Sequence, residues 1–275
     1  MYAPRMSDAV FEPWFSRWRL VADGKAFETK LGNRLLPVRS EGVPAILKIA
    51  ASEEERKGAA LMSWYAGEGA AKVLAHEDPA ILLERCDGAR SLAAMARDGR
   101  DDEATRILCA TAALLHASRD RPLPKTLVPL PIWFRQLAPA AALHGGVFVK
   151  SDVAARALLA EPRDLVVLHG DFHHDNVLDG GERGWLAIDP KGLIGERHFE
   201  FANIVRNPDV ATALAPGRLQ RQAQIVSDEA GLEYARLLKW ILAYAGVGAV
   251  WSMESGHDPK AGMQIAEIAA AELQV

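Results

Sequence analysis

One segment of this chain ties its chemistry to its geometry more tightly than any other. It runs Val166-Val167-Leu168-His169-Gly170-Asp171-Phe172-His173-His174-Asp175-Asn176-Val177-Leu178. Past Asp179-Gly180-Gly181-Glu182-Arg183-Gly184 it continues Trp185-Leu186-Ala187-Ile188-Asp189-Pro190-Lys191-Gly192. The first apolar run predicts a short buried strand that delivers a His-Gly-Asp loop. Asn176 stands at the far end of that loop. The glycine-rich stretch after Leu178 predicts a tight hairpin, which returns a second strand with another carboxylate, Asp189, at its end. Two carboxylates and an amide oxygen therefore converge. Such an oxygen set suits a hard cation such as Mg²⁺, which takes few protein ligands and completes its shell with water and phosphate oxygens.

The remaining sequence has to bury that loop. With 275 residues, and about 150 per domain, two domains or one large one are expected. Half the residues are hydrophobic (49%) and a quarter charged (25%), the balance of an ordinary globular protein. Lys and Arg number 32 against 36 Asp and Glu, a formal charge of −4. That leaves no basic surplus for gripping nucleic-acid phosphates or an anionic membrane. Two cysteines, Cys86 and Cys109, make no disulfide framework, so a reducing cytoplasm is the expected compartment. The first residues lack the apolar core of a signal peptide. The longest apolar run, 241–251, is too short to span a bilayer and contains Gly246 and Gly248.

Along the chain, Ser7-Asp8 predicts a helix N-cap ahead of Val10, Phe11, Trp14 and Phe15. Strands are expected over 18–21, 34–39 and 43–49, the last two joined as a hairpin through Ser40-Glu41-Gly42. Ser52 predicts the cap of a helix over 53–65 whose early acids suit the positive end of the helix dipole. Two more strands follow, around 73–74 and 80–84. After Cys86-Asp87-Gly88 the texture turns helical, with helices expected over 91–97, 101–116, 132–143 and 152–160. Three more are expected from Arg218 onward, broken near Gly231 and across 255–259. The shift from β-rich to α-rich sequence falls near residue 85.

Asp171-x4-Asn176 has the spacing of a kinase catalytic loop, in which the Asp orients the acceptor hydroxyl and the Asn holds magnesium. His169-Gly170-Asp171-Phe172-His173-His174-Asp175-Asn176 resembles the catalytic loop of the aminoglycoside phosphotransferase family. The segment 185–192 is similar to the metal-binding segment of its streptomycin and hydroxyurea resistance branch, and 193–197 and 199–204 also fit that branch. The resemblance implies an α+β, bilobal protein-kinase-like fold. A small antiparallel sheet lobe, residues 1–84, would bind nucleotide, and a larger, mainly helical lobe, residues 85–275, would carry the catalytic loop and acceptor site. It implies ATP and Mg²⁺ as cofactors, Asp171 as the catalytic aspartate, and Asn176 and Asp189 as metal ligands. Lys48, in Ala45-Ile46-Leu47-Lys48, matches the strand lysine that contacts the α- and β-phosphates. Glu84 and Cys86 fall at the hinge whose backbone meets adenine. The loop at Leu31-Gly32-Asn33-Arg34 would lie over the phosphates, although it lacks the G-x-G-x-x-G pattern. Lys191, two residues past Asp189, is a candidate to reach the γ-phosphate. The implied acceptor is a small hydroxylated molecule, a cationic aminosugar of the streptomycin type, with an unrelated hydroxylated metabolite as the alternative.

One departure stands out. Kinases pair the strand lysine with a glutamate on the next helix, and alignment on Trp64 puts that position near Lys57-Gly58, where there is no acid. Glu54, seven residues before apolar Leu61, falls on the same helical face and Glu55 is its neighbour, so either is a candidate, with a shifted helix as the alternative. In the acceptor site, the acids available from the tail are Asp209, Asp228, Glu229, Glu233, Glu254 and Asp258.

Simpler readings apply elsewhere. His169 is expected to shape the loop through backbone hydrogen bonds, and His174 and Asp175 to be solvated loop residues. The run 53–57 is a favourably charged helix start. Trp240, Tyr244 and Trp251 have the spacing of helix core, and Cys86 is expected as a small buried residue. Rival functions are a zinc hydrolase built on His169, Asp171, His173, His174 and Asp175, and a non-catalytic nucleotide-binding module. The first needs ligands from elsewhere that no other histidine spacing offers. The second would have dispensed with Asp171, Asn176, Asp189 or Lys48, all of which are present. A protein kinase is disfavoured because no activation segment follows Asp189.

Overall fold

The alternating apolar residues of the first third of the chain form one antiparallel sheet. The computed structural model describes residues 9–275, so the cap expected at Ser7-Asp8 lies outside the described residues. Helix α1 (Glu12–Arg17) precedes strands β1 (Leu20–Ala22), β2 (Phe27–Glu28), β3 (Arg34–Ser40) and β4 (Val43–Ile49). Helix α2 (Glu53–Tyr65) and strands β5 (Val73–Glu77) and β6 (Ala80–Glu84) follow. The strand order is β1-β3-β4-β6-β5, with β2 also paired to β3. Glu41 and Gly42 both take positive φ, 49° and 84°, the backbone a two-residue hairpin needs to match strand twist. One face of the sheet buries Leu36, Val38, Leu47 and Leu82 against Trp14 of α1 and Phe11 just before it. The period of two then directs Ile46, Lys48, Ile81 and Leu83 to the opposite face, toward the rest of the molecule.

Helix α2 begins as expected, with Ser52 Oγ accepting from Glu55 N at 3.3 Å. Its apolar residues Ala59, Leu61, Met62 and Tyr65 join the main core of the helical part rather than the core of the sheet. At its C-terminal end, Trp64 Nε1 donates to Pro122 O (2.9 Å) and Arg121 donates to Trp64 O (2.8 Å). Arg119 lies over the Trp64 and Tyr65 rings, 5.0 and 5.2 Å from their centroids. Midway along the helix the approach is closer still. A Cβ added at Gly58 would fall inside the van der Waals radius of the Pro190 carbonyl oxygen.

Beyond Glu84 the chain forms α3 (Leu92–Arg97), α4 (Asp101–His116), α5 (Leu130–Trp133), α6 (Leu137–His144), α7 (Val147–Ala160), α8 (His198–Phe201) and α9 (Val210–Ala213). It ends with α10 (Arg218–Ala230), α11 (Tyr234–Glu254) and α12 (Lys260–Glu272). Short strands β7 (Val128–Pro129), β8 (Leu165–Leu168), β9 (Val177–Asp179), β10 (Trp185–Ala187) and β11 (Leu193–Glu196) are interleaved. No helix among the described residues is long and apolar enough to cross a membrane. The single helix expected over 132–143 is two. Pro139 cannot sit in a helix interior, and restarting the helix at Leu137 places it in the first turn, where its missing N–H costs nothing. The strand at 193–196 was not expected, because four residues containing a glycine carry too little pattern. It pairs with β8 over its whole length.

His174 corrects an expectation. It is not a solvated loop residue but is 1% exposed, with neither ring nitrogen hydrogen-bonded. It lies 3.9 Å from Asp101, whose carboxylate is already taken by Arg218 (2.7 and 3.0 Å) and Gln222 (2.8 Å). The two apolar neighbours of the loop, Phe172 and Val177, drive the chain inward at this point, carrying the imidazole with them.

Two predictions follow from these contacts. Alanine is a better helix former than glycine by about 1 kcal/mol, but overpacking against backbone costs about 1–3 kcal/mol. Gly58→Ala is therefore expected to lower the unfolding free energy in urea, and a stabilised variant would show that α2 and the Pro190 segment part easily. Burial, aided by Arg218 and His173, holds the pKa of His174 at about 3, below the ordinary 6.5. Its contribution is therefore complete above pH 6.5 and lost as the pH falls, because the unfolded chain takes the proton first. The loss between about pH 7 and about pH 5 is roughly 2 kcal/mol. His174→Leu is expected to reduce that acid sensitivity, and an unchanged pH dependence would remove His174 as its source.

Candidate active site

Lys48 points from β4 toward α2, where its Nζ donates to Glu55 Oε2 at 2.5 Å and also pairs with Asp189. The glutamate sought at the start of α2 is thus Glu55, two to three residues earlier than alignment on Trp64 suggests. Gly58 occupies the place nearer that alignment and lets the helix close on Pro190. Lys191 completes the group, with Nζ 2.7 Å from Glu55 Oε1 and 3.1 Å from Glu54 Oε1. Glu55 is 4% exposed. Burial opposes its ionisation, yet Lys48 and Lys191 prevail and bring its pKa down to about 2. Burial likewise opposes the charge on Lys191, and Glu55 outweighs it, raising its pKa.

The catalytic-type loop leaves β8 and is shaped by two buried side chains. His169 Nε2 donates to Ile188 O (2.8 Å) while Nδ1 accepts from Asp171 N (3.2 Å), a pattern that requires the neutral ring with its proton on Nε2. Burial lowers its pKa, in keeping with that form and with the structural role expected for it. Glu200 of α8, 1% exposed, accepts from His169 N (2.6 Å), Gly170 N (2.9 Å) and His116 Nε2 (3.2 Å). Burial works against its charge, but these donors, His116 foremost, hold its pKa below the usual carboxylate value.

Asp171 is oriented by two amides. Its Oδ1 accepts from Asn203 Nδ2 (3.0 Å), and Asn176 Nδ2 donates to its backbone O (2.8 Å) and Oδ2 (3.3 Å). Asn176 thereby turns its nitrogen toward Asp171 and keeps its oxygen for other partners. Hairpin β9–β10 brings Ile188 N to Asn176 O (2.9 Å), which sets Asp189 beside Asn176. Asp189 takes a left-handed backbone, φ 61°. Neither Glu200 nor Asn203 was singled out from sequence. Their only signal was the segment 199–204, and nothing in its spacing showed that it turns back onto residues thirty positions earlier.

Two cavities meet at this loop. The smaller, about 380 Å³, is lined by Lys48, Glu55, Asn176 and Asp189, with Phe27, Ile46, Ile81, Leu83 and Leu178 as apolar walls and residues 84–86 at one edge. At that edge Glu84 N donates to Lys72 O (2.9 Å) and Arg85 N to Pro44 O (3.3 Å), whereas Cys86 N makes no bond to a described residue. The Glu84 carboxylate pairs with Arg183 and accepts from Lys72 N (2.6 Å). Cys86 is half-buried, and burial pushes its thiol up to about 11, consistent with an unreactive packing residue. The hairpin at 29–33 is anchored by Ala51 N donating to Asn33 Oδ1 (3.0 Å). Thr29 of this hairpin faces the smaller cavity and Leu31 the larger one.

The larger cavity, about 910 Å³, is lined by Asp171, Asn203, Arg206 and Lys191 together with Glu254, Gln136, Trp133 and Trp251. Of the tail acids only Glu254 lines it. Asp209 caps α9 and pairs with Arg97, Asp228 accepts from Gln224, Glu229 pairs with Arg106, Glu233 with Arg163 and Asp258 with Lys260. Glu53 and Glu54 of α2 also line it. Trp240 is core, 0% exposed, as its spacing predicts, while Tyr244 and Trp251 also face the cavity. The dense histidines do not converge. His169 is spent on backbone, His173 Nε2 lies 3.7 Å from Asp171 and His174 faces Asp101.

Comparison with known proteins agrees with this geometry. The protein-kinase-like fold is shared with a choline/ethanolamine kinase family protein from Mesorhizobium loti, at a TM-score of 0.67 and 13% identity over 98% of this chain and 93% of that one. A streptomycin 3''-kinase from Klebsiella pneumoniae is 49% identical over 87% of this chain and 91% of its own length. A streptomycin 6-kinase from Streptomyces glaucescens is 30% identical over 92% of this chain and 86% of its own. The family described as aminoglycoside/hydroxyurea antibiotic resistance kinase matches residues 17–256. This chain is therefore a member of the aminoglycoside/hydroxyurea antibiotic resistance kinase family, a phosphotransferase acting on hydroxyl groups.

Proposed function

We propose that the protein transfers the γ-phosphoryl group of ATP to a hydroxyl of a streptomycin-type aminoglycoside, acting in the cytoplasm. The nucleotide would lie between a sheet lobe ending at Glu84 and a helical lobe beginning at Arg85. The observation that carries this reading is the division of one loop between two cavities. Asp171 opens on the larger cavity and its neighbour Asn176 on the smaller, where Lys48 and Asp189 also point. Donor and acceptor sides thus meet across five residues.

In this reading Asp171 accepts the hydrogen bond of the acceptor hydroxyl and takes its proton as the new bond forms. Asn203 and Asn176 hold the carboxylate so that little rotation is needed during reaction. Lys48 would contact the α- and β-phosphates, Cys86 N would meet adenine at the hinge, and Lys191 would stand near the γ-phosphate. Asn176 Oδ1 and the Asp189 oxygen not engaged by Lys48 form a set of hard oxygen donors that fits Mg²⁺. When bound, the ion supplies positive charge that offsets the phosphate oxygens.

The acceptor class is supported by the larger cavity, whose volume far exceeds the needs of hydroxyurea. Trp251 Nε1 donates to Gln136 Oε1 (2.8 Å), and Gln136 Nε2 donates to Glu254 Oε2 (2.7 Å). A carboxylate fixed beside the edge-to-face pair Trp133–Trp251, with centroids 5.2 Å apart, suits an amino or guanidino group.

Release of ADP against a panel of aminoglycosides, hydroxyurea and sugar alcohols tests the reading, with turnover expected for streptomycin-type compounds. Asp171→Ala is expected to keep the melting temperature and lower kcat by about 100-fold or more, and near-wild-type rates would overturn the role of Asp171. Glu254→Gln is expected to raise KM for the aminoglycoside about tenfold, the worth of one charge-assisted hydrogen bond, with KM for ATP unchanged. An unchanged aminoglycoside KM would take Glu254 out of acceptor binding.

A further inference from the structure

Arg206 stands out among the charged side chains. Every other arginine among the described residues has a hydrogen bond or an ion pair, nearly always to a carboxylate, and the side chain of Arg206 has neither. It is half-buried and lines the larger cavity together with Asp171 and Asn203. Its position is nevertheless set. The guanidinium carbon lies 5.1 Å from the centre of the Tyr244 ring. Its flat face also rests on Gly248, where an added Cβ would overlap Nη1, Cζ and Nη2 together. Tyr244 and Gly248 are one turn apart on α11, so a single helix face makes the platform.

A guanidinium held by its face keeps its N–H edge for a partner, and that edge matches the oxygens of a phosphoryl group or carboxylate. The other cations of the cavity are engaged. Lys57 pairs with Glu53, Lys191 with Glu54 and Glu55, and Arg135 donates to Ile132 O. The remaining charged lining, Asp171, Glu53, Glu54 and Glu254, is acidic and suited to cationic parts of an acceptor. An anionic partner for Arg206 must therefore arrive by another route.

We infer that Arg206 is a further catalytic residue, which contacts the phosphoryl group as it reaches the acceptor oxygen and holds it in the phosphomonoester product. This rests on the proposal that the larger cavity receives the acceptor. In the step, the acceptor oxygen bonds to phosphorus while the bond from phosphorus to the bridging oxygen breaks, its electron pair leaving with ADP. The hydroxyl proton passes to Asp171. Lys48 faces the nucleotide side and Arg206 the acceptor side, so Arg206 gains its partner only as transfer proceeds. Interactions that strengthen on the way to the transition state raise kcat rather than tighten ground-state binding.

Arg206→Ala and Arg206→Lys test the inference with Mg²⁺-ATP and the acceptor that the wild type turns over best. For Arg206→Ala, kcat is expected to fall about 100-fold, with KM for ATP and for acceptor within about twofold and the melting temperature retained. Arg206→Lys, which restores charge without the fork, is expected to regain about tenfold of that loss. A loss confined to acceptor KM, or an unchanged kcat, would overturn the inference. A second arm does not depend on the acceptor's identity: calorimetric titration with inorganic phosphate at saturating ADP. The wild type is expected to bind phosphate at least about tenfold more tightly than Arg206→Ala, and equal binding overturns the role. Absence of wild-type turnover with every acceptor, alongside Arg206-dependent phosphate binding, would count against the proposed acceptor and not against Arg206.

Discussion

The carboxylate of Glu55 is the point at which three separate parts of the chain are joined. It receives Lys48 from the sheet and Lys191 from the segment after Asp189, and it stands on the helix between them. Taking such charges out of water costs several kcal/mol per ion, and only well-placed partners offset it. The arrangement is therefore collective. Removing Glu55 would take from Lys48 and Lys191 the one buried carboxylate they share, leaving each only its more exposed partner, Asp189 or Glu54. The absence of a side chain at Gly58 belongs to the same arrangement, because it lets the helix that carries Glu55 press against Pro190, the residue before Lys191.

A second buried carboxylate works by different means. Glu200 grips peptide N–H groups at His169 and Gly170 and a single imidazole, His116. Asn203, three residues on, reaches the side chain of Asp171. One short stretch of chain thus secures both the entry to the loop and the aspartate it carries, so the two keep their relation when the surroundings shift. In the first cluster the partners are the ammonium groups of two long side chains. In the second they are mostly backbone, which has fewer ways to relax.

Where local pattern decides, the sequence was readable. The hairpin at Glu41-Gly42, the cap at Ser52 and the helices over 53–65 and 101–116 follow from turn chemistry and periodicity, and the structure places them there. The catalytic-type loop was readable for another reason, since its residues are consecutive and their spacing is itself the geometry. Failure came where distant segments meet. His174 looks polar and loop-like, but Phe172 and Val177 on either side draw it inward. The tail acids looked equivalent until their arginines and caps were visible, which left Glu254 alone facing the cavity. Arg206 carried no signal at all, because a missing partner can be seen only after every other arginine has found one.

The left-handed backbone at Asp189 narrows what evolution or an experimenter can place there. Among residues with side chains, only Asp and Asn enter that region with ease, since their short polar groups can hydrogen-bond locally. Conformation and charge thus restrict the same position independently, and their overlap is a single amino acid. An alanine there would confound two defects, one in the backbone and one in the charge. An asparagine separates them, keeping the turn while withdrawing the anion that Lys48 faces.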